Sequence, residues 1–272
     1  MTDAPNSRTS LGKAVITGAS AGIGKVYADR LAARGYDLLL IARRSALLQE
    51  VAENIRTAHG VKVETLVADL GATGDLNMVA DRVANDADVT LLVNNAGTSK
   101  MASIADTGVT ATAAMTDLNI SALVRLSLAV FPGFKQRNHG TLINIGSILG
   151  FHSLPISGVY SATKGYVLNF TRGLADEVAG TGVKVQLVLP ASTATDLWDI
   201  AGIPISALDP ATVMTVENCV DAALAGLDLG ETVTLPSVED APALLETYDA
   251  ARMGLLGASQ TGKPASRYNI AA

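Results

Sequence analysis

Residues 13–24 read Lys-Ala-Val-Ile-Thr-Gly-Ala-Ser-Ala-Gly-Ile-Gly, a short apolar run that leads directly into three glycines. The run 13–17 predicts a buried strand, and the segment from about Gly22 to Ala33 predicts a helix. Three glycines at such a junction allow a tight turn, close approach of the backbone to a pyrophosphate and close packing of the helix on the strand. A glycine-rich turn without a ligand is the alternative. Because the glycines follow the first strand directly, the pattern favours a dinucleotide site at the helix N-terminus.

The alternation of apolar runs and longer amphipathic segments continues to about Pro236. Further strands are predicted at 37–42, 61–68, 89–93, 141–145, 183–189 and 231–235. Further helices are predicted at 45–59, with Ser45 as its N-cap, at 76–87, at 110–136, with a bend at Pro132, and at 159–179. Apolar strands that are each followed by a helix indicate a parallel sheet covered on both faces. The predicted fold is a single-domain, Rossmann-like, doubly wound α/β sheet of about seven strands, whose ligands bind beyond the carboxyl ends of the strands.

Composition limits the class of protein. The 272 residues are 49% hydrophobic and 17% charged, which is ample for a continuous core. We expect one dinucleotide-binding domain over 1–272, with its core at about 11–256 and loose tails at 1–10 and 258–272. The net charge of −6 and the absence of a basic stripe argue against nucleic acid or a membrane surface as partner. A single cysteine, no signal peptide, no apolar run of membrane-spanning length and no metal-ligand cluster predict a soluble cytoplasmic protein without a metal.

The residues after the second and third strands indicate which dinucleotide binds. An NAD enzyme would place an acid at the end of strand two, but here Ala42 is followed by Arg43 and Arg44. Two guanidiniums suit a 2′-phosphate, so we predict NADP(H) in preference to NAD(H), with Arg43 as the favoured contact. A solvated helix start is the alternative for Arg44. Asp69 could accept from the adenine amino group or cap the turn that begins at Gly71.

Tyr160-Ser-Ala-Thr-Lys164 predicts a catalytic pair. Side chains at i and i+4 of a helix share one face, and an ammonium beside a phenol lowers the pKa of the phenol. A phenol with a lowered pKa is a usable proton donor or acceptor at neutral pH. Ser147, at the end of strand five, also lies at the carboxyl edge of the sheet. Asn119 lies inside a predicted helix, where asparagine is unfavourable, and it could hydrogen-bond water or a lysine head group in a proton relay.

These motifs, in order TGASAGIG at 17–24, NNAG at 94–97, Asn119, Ser147 and YSATK at 160–164, resemble those of the classical short-chain dehydrogenase/reductase family, over residues from about 13 to the middle 230s. The resemblance implies that Tyr160 is the general acid/base and that Lys164 lowers its pKa while binding the nicotinamide ribose. It implies that Ser147 orients the carbonyl and that Asn119 supports a water-mediated proton path to Lys164. Together with the pattern of the residues, it predicts cofactor contacts from Gly18, Ser20, Ala21, Gly22, Ile23, Gly24, Arg43, Arg44, Asp69, Leu70, Asn95, Ala96, Gly97, Tyr160, Lys164, Pro190, Thr193 and Thr195.

Three positions depart from the family pattern. Ala191 stands where the family usually has glycine, beside the expected nicotinamide. Gly146 precedes the serine where a second serine is common, which alters packing only. Ala21 leaves the glycine loop without a basic residue, so the preference for NADP rests on strand two alone.

The resemblance implies a carbonyl reductase or secondary alcohol dehydrogenase that forms homodimers or homotetramers. Segment 193–215 is the expected substrate lid, and its apolar residues favour a hydrophobic ketone or alcohol. Candidate substrate contacts are Leu149, His152, Leu154 and Trp198, with a surface position as the alternative for His152 and packing as the alternative for the apolar residues. A catalytically idle NADP(H) sensor or scaffold is the alternative function, and the four catalytic candidates argue against it. A hydrolase that uses Ser147 lacks the Gly-x-Ser-x-Gly elbow, and an epimerase would need a longer C-terminal domain.

Overall fold

The computed structural model describes residues 11–270, so the expected tail at 1–10 lies outside the described residues. Within them, seven strands form one sheet in the order β3-β2-β1-β4-β5-β6-β7, with every neighbouring pair parallel. The strands are β1 (Lys13–Thr17), β2 (Asp37–Ala42), β3 (Val63–Val67), β4 (Val89–Asn94), β5 (Gly140–Ile145), β6 (Val183–Val188) and β7 (Val233–Thr234). The predicted doubly wound parallel sheet is therefore confirmed.

Ten α-helices connect or follow the strands of the described chain. They are α1 (Gly22–Ala33), α2 (Ser45–His59), α3 (Thr73–Ala84), α4 (Ile104–Thr107), α5 (Val109–Thr116), α6 (Leu123–Arg137), α7 (Gly158–Glu177), α8 (Leu197–Ala201), α9 (Val216–Leu229) and α10 (Ala241–Ala258). A π-helical turn, Asp117–Ala122, joins α5 to α6, and short 3-10 turns occupy Ile148–Gly150, Ile205–Ala207, Pro210–Thr212 and Ser266–Tyr268.

Helices cover both faces of the sheet, and successive strand residues point to opposite faces. Ile16 and Leu40 belong to one core with α1, α2 and α9, whereas Val15 and Leu39 belong to the other with α3, α6 and α7. Each strand therefore needs apolar residues at consecutive positions, which explains its nearly continuous apolar run. The chain reverses direction across the sheet between β1 and β4, where a doubly wound fold opens its ligand cleft.

The predicted helix 110–136 differs most from the structure. It is divided into α5, the π-helical turn and α6, and α6 continues through Pro132 to Arg137, so the irregularity does not lie at the proline. Ser45 is the first residue of α2, whose N-cap is Arg44, so the predicted serine cap is wrong. Helix α9 was not predicted; its start is capped by Thr215, whose hydroxyl accepts from the Asn218 N–H at 3.1 Å.

The chain divides into two compact units, the first ending at Ser237 and the second beginning at Val238. The first unit holds the whole sheet. The second contains α10 and the 3-10 turn Ser266–Tyr268, so ordered turns continue into the segment 258–270 that the sequence assigned to a tail. The expected core boundary near residue 256 falls inside α10.

One helical run of the described chain, Val109–Arg137, is 29 residues long and passes the length and hydropathy criteria for crossing a membrane, with a mean hydropathy of 1.4 over its most apolar 18 residues. The sequence predicts no apolar run of membrane-spanning length, and the structure differs in this respect. Of its most apolar window, 44% is buried inside the protein, and α6 packs against α3, β4 and β5. A core helix satisfies the same criteria, so this run is weak evidence for a membrane span, and the absence of a membrane partner stays a prediction.

Candidate functional site

A cleft of about 700 Å³ lies beyond the carboxyl ends of the strands in the first unit. The segments that follow β1 to β6 all contribute to its wall. Nearly every residue predicted to contact cofactor lines this cleft, as do Ser147 and the catalytic pair. Gly24 and Asn119 are the exceptions: they stand behind the wall and support residues that line it.

The glycine loop after β1 has the backbone geometry that a pyrophosphate cradle needs. Gly18 and Gly22 have φ values of +67° and +54°, a region that side-chain-bearing residues rarely adopt. A Cβ on Gly24 would lie 2.5 Å from the Gly18 carbonyl oxygen, so α1 packs on the loop only with glycine there. The N-terminus of α1 consequently faces the cleft with its first amides free for an anion. The residues present therefore fit a dinucleotide.

Thr17 and Asn95 hold the loops after β1 and β4 together. The Thr17 hydroxyl accepts from the backbone N–H groups of Asn95 and Ala96, at 2.9 and 3.0 Å. In return, the Asn95 amide donates to the Thr17 carbonyl oxygen at 2.9 Å. Thr17 was not singled out from the sequence, although a hydroxyl residue at a strand end is the signal that could have identified it.

Two arginines stand at the edge of the cleft where the adenosine end of a dinucleotide would lie. The Arg43 guanidinium is 65% exposed and lies 3.8 Å from the Asp69 carboxylate. Arg44 donates from Nε to the Ser20 hydroxyl at 3.3 Å and from Nη1 to the Asp196 carboxylate at 3.4 Å. Arg44 is therefore not simply a solvated helix start. Asp69 accepts from the Gly71 N–H at 3.0 Å, which is the capping contact considered from the sequence.

Helix α7 brings Tyr160 and Lys164 to the wall of the cleft, and both side chains are buried. The Lys164 Nζ lies 5.7 Å from the centre of the Tyr160 ring and donates to the Ile145 carbonyl oxygen at 2.9 Å. Ser147, just beyond β5, hydrogen-bonds the Tyr160 side chain. Its hydroxyl also accepts from the Leu149 N–H at 3.2 Å, which caps the 3-10 turn Ile148–Gly150. The sequence prediction that these three side chains meet is consistent with this geometry.

Burial controls the protonation of the pair. Burial raises the pKa of Tyr160 to about 12, and the hydrogen bond with Ser147 opposes that rise. Burial lowers the pKa of Lys164 to about 8. The sequence predicts that Lys164 lowers the pKa of the phenol. In the structure, the pKa of the Tyr160 phenol is raised instead. The cause is desolvation, which disfavours the charged form of both residues.

Asn119 occupies the π-helical turn and connects two other elements. Its side-chain amide donates to the Thr98 carbonyl oxygen at 2.9 Å and to the Thr163 hydroxyl at 3.1 Å, and its oxygen accepts from the Thr98 N–H at 2.9 Å. Thr163 in turn donates to the Tyr160 carbonyl oxygen at 2.7 Å. The contacts of Asn119 are with Thr98 and Thr163 rather than with the Lys164 head group. A role in a proton path thus stays a prediction.

Three of the four predicted substrate residues line an apolar part of the cleft. Leu149, Leu154 and Trp198 line the cleft, whereas His152 is exposed and does not. His152 belongs to the loop between the 3-10 turn Ile148–Gly150 and α7, and its position agrees with the surface alternative considered from the sequence. The lining also includes Ile200, Ile203 and Leu208 of the expected lid, and four residues that the sequence did not single out, namely Met101, Leu118, Ile148 and Ile156.

The two ends of the expected lid are hydrogen-bonded to each other. The Ala194 N–H donates to the Met214 carbonyl oxygen at 3.0 Å, and the Met214 N–H donates to the Ser192 carbonyl oxygen at 2.9 Å. Between these ends, the Trp198 indole donates to the Thr193 carbonyl oxygen at 2.9 Å, and the Ala201 carbonyl accepts from Met101 at 3.0 Å. The segment is therefore a closed loop with α8 inside it. Its closure on a ligand stays a prediction.

Comparisons with known proteins agree with this geometry. A family model described as short chain dehydrogenase matches residues 12–201. A very-long-chain 3-oxoacyl-CoA reductase of Anas platyrhynchos is 36% identical over 196 residues, which cover 69% of this chain and 62% of that protein. The chain thus spans less than two thirds of the length of this curated relative.

Two solved structures match over almost the whole chain. A short-chain dehydrogenase from Sphingobium yanoikuyae in complex with NADPH is 41% identical with a TM-score of 0.90, and the match covers 94% of this chain and 98% of that one. A bulky-bulky ketone specific alcohol dehydrogenase from Comamonas testosteroni is 36% identical with a TM-score of 0.87, and the match covers 96% and 99% of the two chains.

Proposed function

The chain belongs to the short-chain dehydrogenase family, and on that premise we propose that it is an NADP(H)-dependent oxidoreductase that interconverts a hydrophobic ketone and the corresponding secondary alcohol. One observation carries the proposal. The buried side chains of Tyr160, Lys164 and Ser147 meet at the wall of a cleft that a glycine loop borders on one side and apolar residues border on the other.

The side chains have separate tasks in the reduction. Bound NADPH would supply the hydride. The Ser147 hydroxyl orients the carbonyl oxygen, and the Tyr160 phenol donates a proton to that oxygen. A phenol whose pKa is about 12 holds its proton at neutral pH, which suits the reductive direction. Lys164 supplies positive charge close to the phenol and, by its contact with the Ile145 carbonyl, stays on the same wall.

The preference for NADP(H) rests on Arg43 and Arg44. Both guanidiniums border the cleft at the end of β2, and no carboxylate stands directly after that strand to bind an unmodified ribose. The NADPH complex of the Sphingobium yanoikuyae relative supports the same choice. The substrate class rests on the apolar lining around Trp198 and on the similarity to a dehydrogenase specific for bulky-bulky ketones.

The decisive variant is Tyr160→Phe, which removes only the phenolic hydroxyl. We expect ketone reduction to fall by at least about a hundredfold, because proton transfer by a positioned acid contributes that much. NADPH binding, measured by calorimetric titration, should change little. Tyr166→Phe is the matched control, since Tyr166 lies on the same helix and is half exposed. Near-normal turnover by Tyr160→Phe would reject the assignment.

A substrate panel tests the other half of the proposal. Two sets of ketones, one with a small and a large substituent and one with two large substituents, would be tested with NADPH and with NADH. The reaction is followed at the nicotinamide absorbance. We expect the ketones with two large substituents to be reduced, and NADPH to be a better reductant than NADH. A protein that binds NADPH but reduces none of the ketones would instead fit the sensor alternative.

A further inference from the structure

Arg44 joins three segments that meet at one corner of the cleft. It is the N-cap of α2 and follows β2 directly. Its guanidinium contacts Ser20 in the glycine loop and Asp196 in the segment after β6, 152 residues away along the chain. All three residues line the cleft. A group that binds Arg44 can therefore affect the segment that carries the substrate side.

The contact between Arg44 and Asp196 is weak enough for a ligand to take the place of the Asp196 carboxylate. The two side chains are 50% and 66% exposed, and their atoms lie 3.4 Å apart. Exposed ion pairs of this kind contribute little to stability. A phosphate monoester carries nearly two negative charges and three acceptor oxygens, so it is the stronger partner for a guanidinium. The Asp196 carboxylate would also repel a phosphate placed on the same guanidinium.

The neighbouring arginine lacks this connection. Arg43 faces Asp69 at 3.8 Å, and Asp69 is held at the end of β3 by the Gly71 N–H. The Asp69 carboxylate therefore follows strand β3 and is not attached to the segment that contains α8. Asp196, in contrast, directly precedes α8, whose Leu197, Trp198 and Ala201 line the cleft. Because the ends of the segment are tied at Thr193 and Met214, a shift of Asp196 would move its middle part.

We propose that the 2′-phosphate of NADP(H) displaces Asp196 from Arg44, which makes Asp196 a residue that sets the selectivity between NADP(H) and NAD(H) and transmits the identity of the cofactor to the segment containing Trp198. This inference rests on the cofactor preference proposed above. An unphosphorylated ribose leaves the Arg44–Asp196 contact in place, whereas a 2′-phosphate takes the guanidinium and releases the start of α8.

Binding of two nucleotides isolates the 2′-phosphate. Adenosine 2′,5′-bisphosphate and 5′-AMP would be titrated calorimetrically into the full chain and into Asp196→Asn. We expect Asp196→Asn to bind the bisphosphate about two- to fivefold more tightly, the range that an exposed ion pair allows, and to bind 5′-AMP as the unchanged chain does. Asp199→Asn is the matched control, because Asp199 is an exposed aspartate inside α8, three residues after Asp196, and does not contact Arg44. In an Arg44→Gln background the gain from Asp196→Asn should vanish.

Trp198 reports the movement of the segment, since it is the single tryptophan of the chain and lies two residues after Asp196. The bisphosphate carries no nicotinamide that could quench the indole directly. We expect it to change the Trp198 emission of the unchanged chain, 5′-AMP to leave the emission as it is, and Asp196→Asn to lose most of the change.

The failures can be distinguished. If the unchanged chain binds the bisphosphate no better than 5′-AMP, the proposed preference for NADP(H) is wrong and this inference falls with it. If the chain prefers the bisphosphate but Asp196→Asn alters neither affinity nor emission, only the role of Asp196 is rejected. An equal gain in Asp199→Asn would likewise reject it, because the effect would then be one of general charge.

Discussion

At the residue scale, the site depends on two ionisable groups that the fold has removed from water. Tyr160 and Lys164 are each less than a tenth exposed. Burial moves their pKa values in opposite directions, to about 12 and about 8, because each is pushed towards its neutral form. The lysine is the group whose charge changes close to neutral pH. It therefore couples both activity and stability to pH.

Lys164→Met removes this titration, and the sign of the effect on stability follows from the shift. Below pH 8 the lysine is charged in the folded and unfolded chain alike. As pH rises from 8 towards 10.5, the folded chain has released the proton that the unfolded chain still binds, so stability rises with pH. Relative to Lys164→Met, we expect the free energy of unfolding to increase by roughly 2 kcal/mol from about pH 7 to about pH 9.5.

Urea unfolding of the two proteins across that range measures the difference. Tyr160 and the fully buried Tyr27 also have raised pKa values, and their contributions are lost as pH rises above the ordinary tyrosine range. Tyr27 is present in both proteins, so its contribution cancels, and the comparison ends at about pH 9.5, below the ordinary tyrosine pKa at which the contribution of Tyr160 begins to change. If the difference in unfolding free energy between the two proteins does not change with pH, the pKa of Lys164 is not lowered.

At the element scale, the π-helical turn Asp117–Ala122 determines where Asn119 lies. A π-helical turn is rare and frequently marks a functional site. Here the Leu123 carbonyl oxygen at its end accepts from the side chains of Asn94 and Ser127, at 3.4 and 2.8 Å. The Asn119 side chain is left to join the loop after β4 to α7. The defect thus positions a residue that supports both the cofactor loop and the helix of the catalytic pair.

Thr163 is the point where that support reaches α7, and Thr163→Val with Thr163→Ser as control tests it. Valine has the same shape but cannot accept from Asn119 or donate to the Tyr160 carbonyl. One N–H of the buried Asn119 amide then lacks an acceptor, so we expect Thr163→Val to lower the unfolding free energy by about 1–3 kcal/mol and to reduce kcat more than it raises KM. Serine keeps the hydroxyl and should retain both properties. Equal behaviour of the two variants in urea unfolding and initial-rate measurements would exclude this role.

At the scale of the whole molecule, the sheet order decides which loops share the cleft. Because β1 lies between β2 and β4, the glycine loop, the two arginines and the NNAG turn converge although they are separated by up to about eighty residues. The segments after β5 and β6 complete the opposite wall. A ligand that spans the cleft contacts many elements of the first unit at once and should stabilise that unit as a body.

Thermal unfolding with cofactor measures this effect. A ligand present at a hundred times its Kd adds about 2.7 kcal/mol to the free energy of unfolding. At equal concentration we therefore expect NADP⁺ to raise the Tm more than NAD⁺ does. The double variant Arg43→Gln/Arg44→Gln should lose the difference between the two while keeping the smaller shift with NAD⁺. A larger shift with NAD⁺ in the unchanged chain would overturn the proposed preference.

The amino-acid sequence by itself determined the parts that depend on neighbouring residues. Strands of consecutive apolar residues, the glycine loop and the Tyr160–Lys164 spacing are local patterns, and the structure contains the predicted elements with ends shifted by only a few residues in most cases. Their order along the chain sufficed to indicate a parallel doubly wound sheet with a dinucleotide site.

Only the tertiary structure decided the contacts between distant segments. Three features have no local signature in the sequence: the contacts of Arg44 with Ser20 and Asp196, the link from Asn119 through Thr163 to α7, and the exposure of His152. The direction of the Tyr160 pKa was also misjudged, because the i,i+4 spacing reveals a neighbouring charge but not the extent of burial. Desolvation and long-range hydrogen bonds arise when the sheet and its helices pack, so they can be read only from the folded chain.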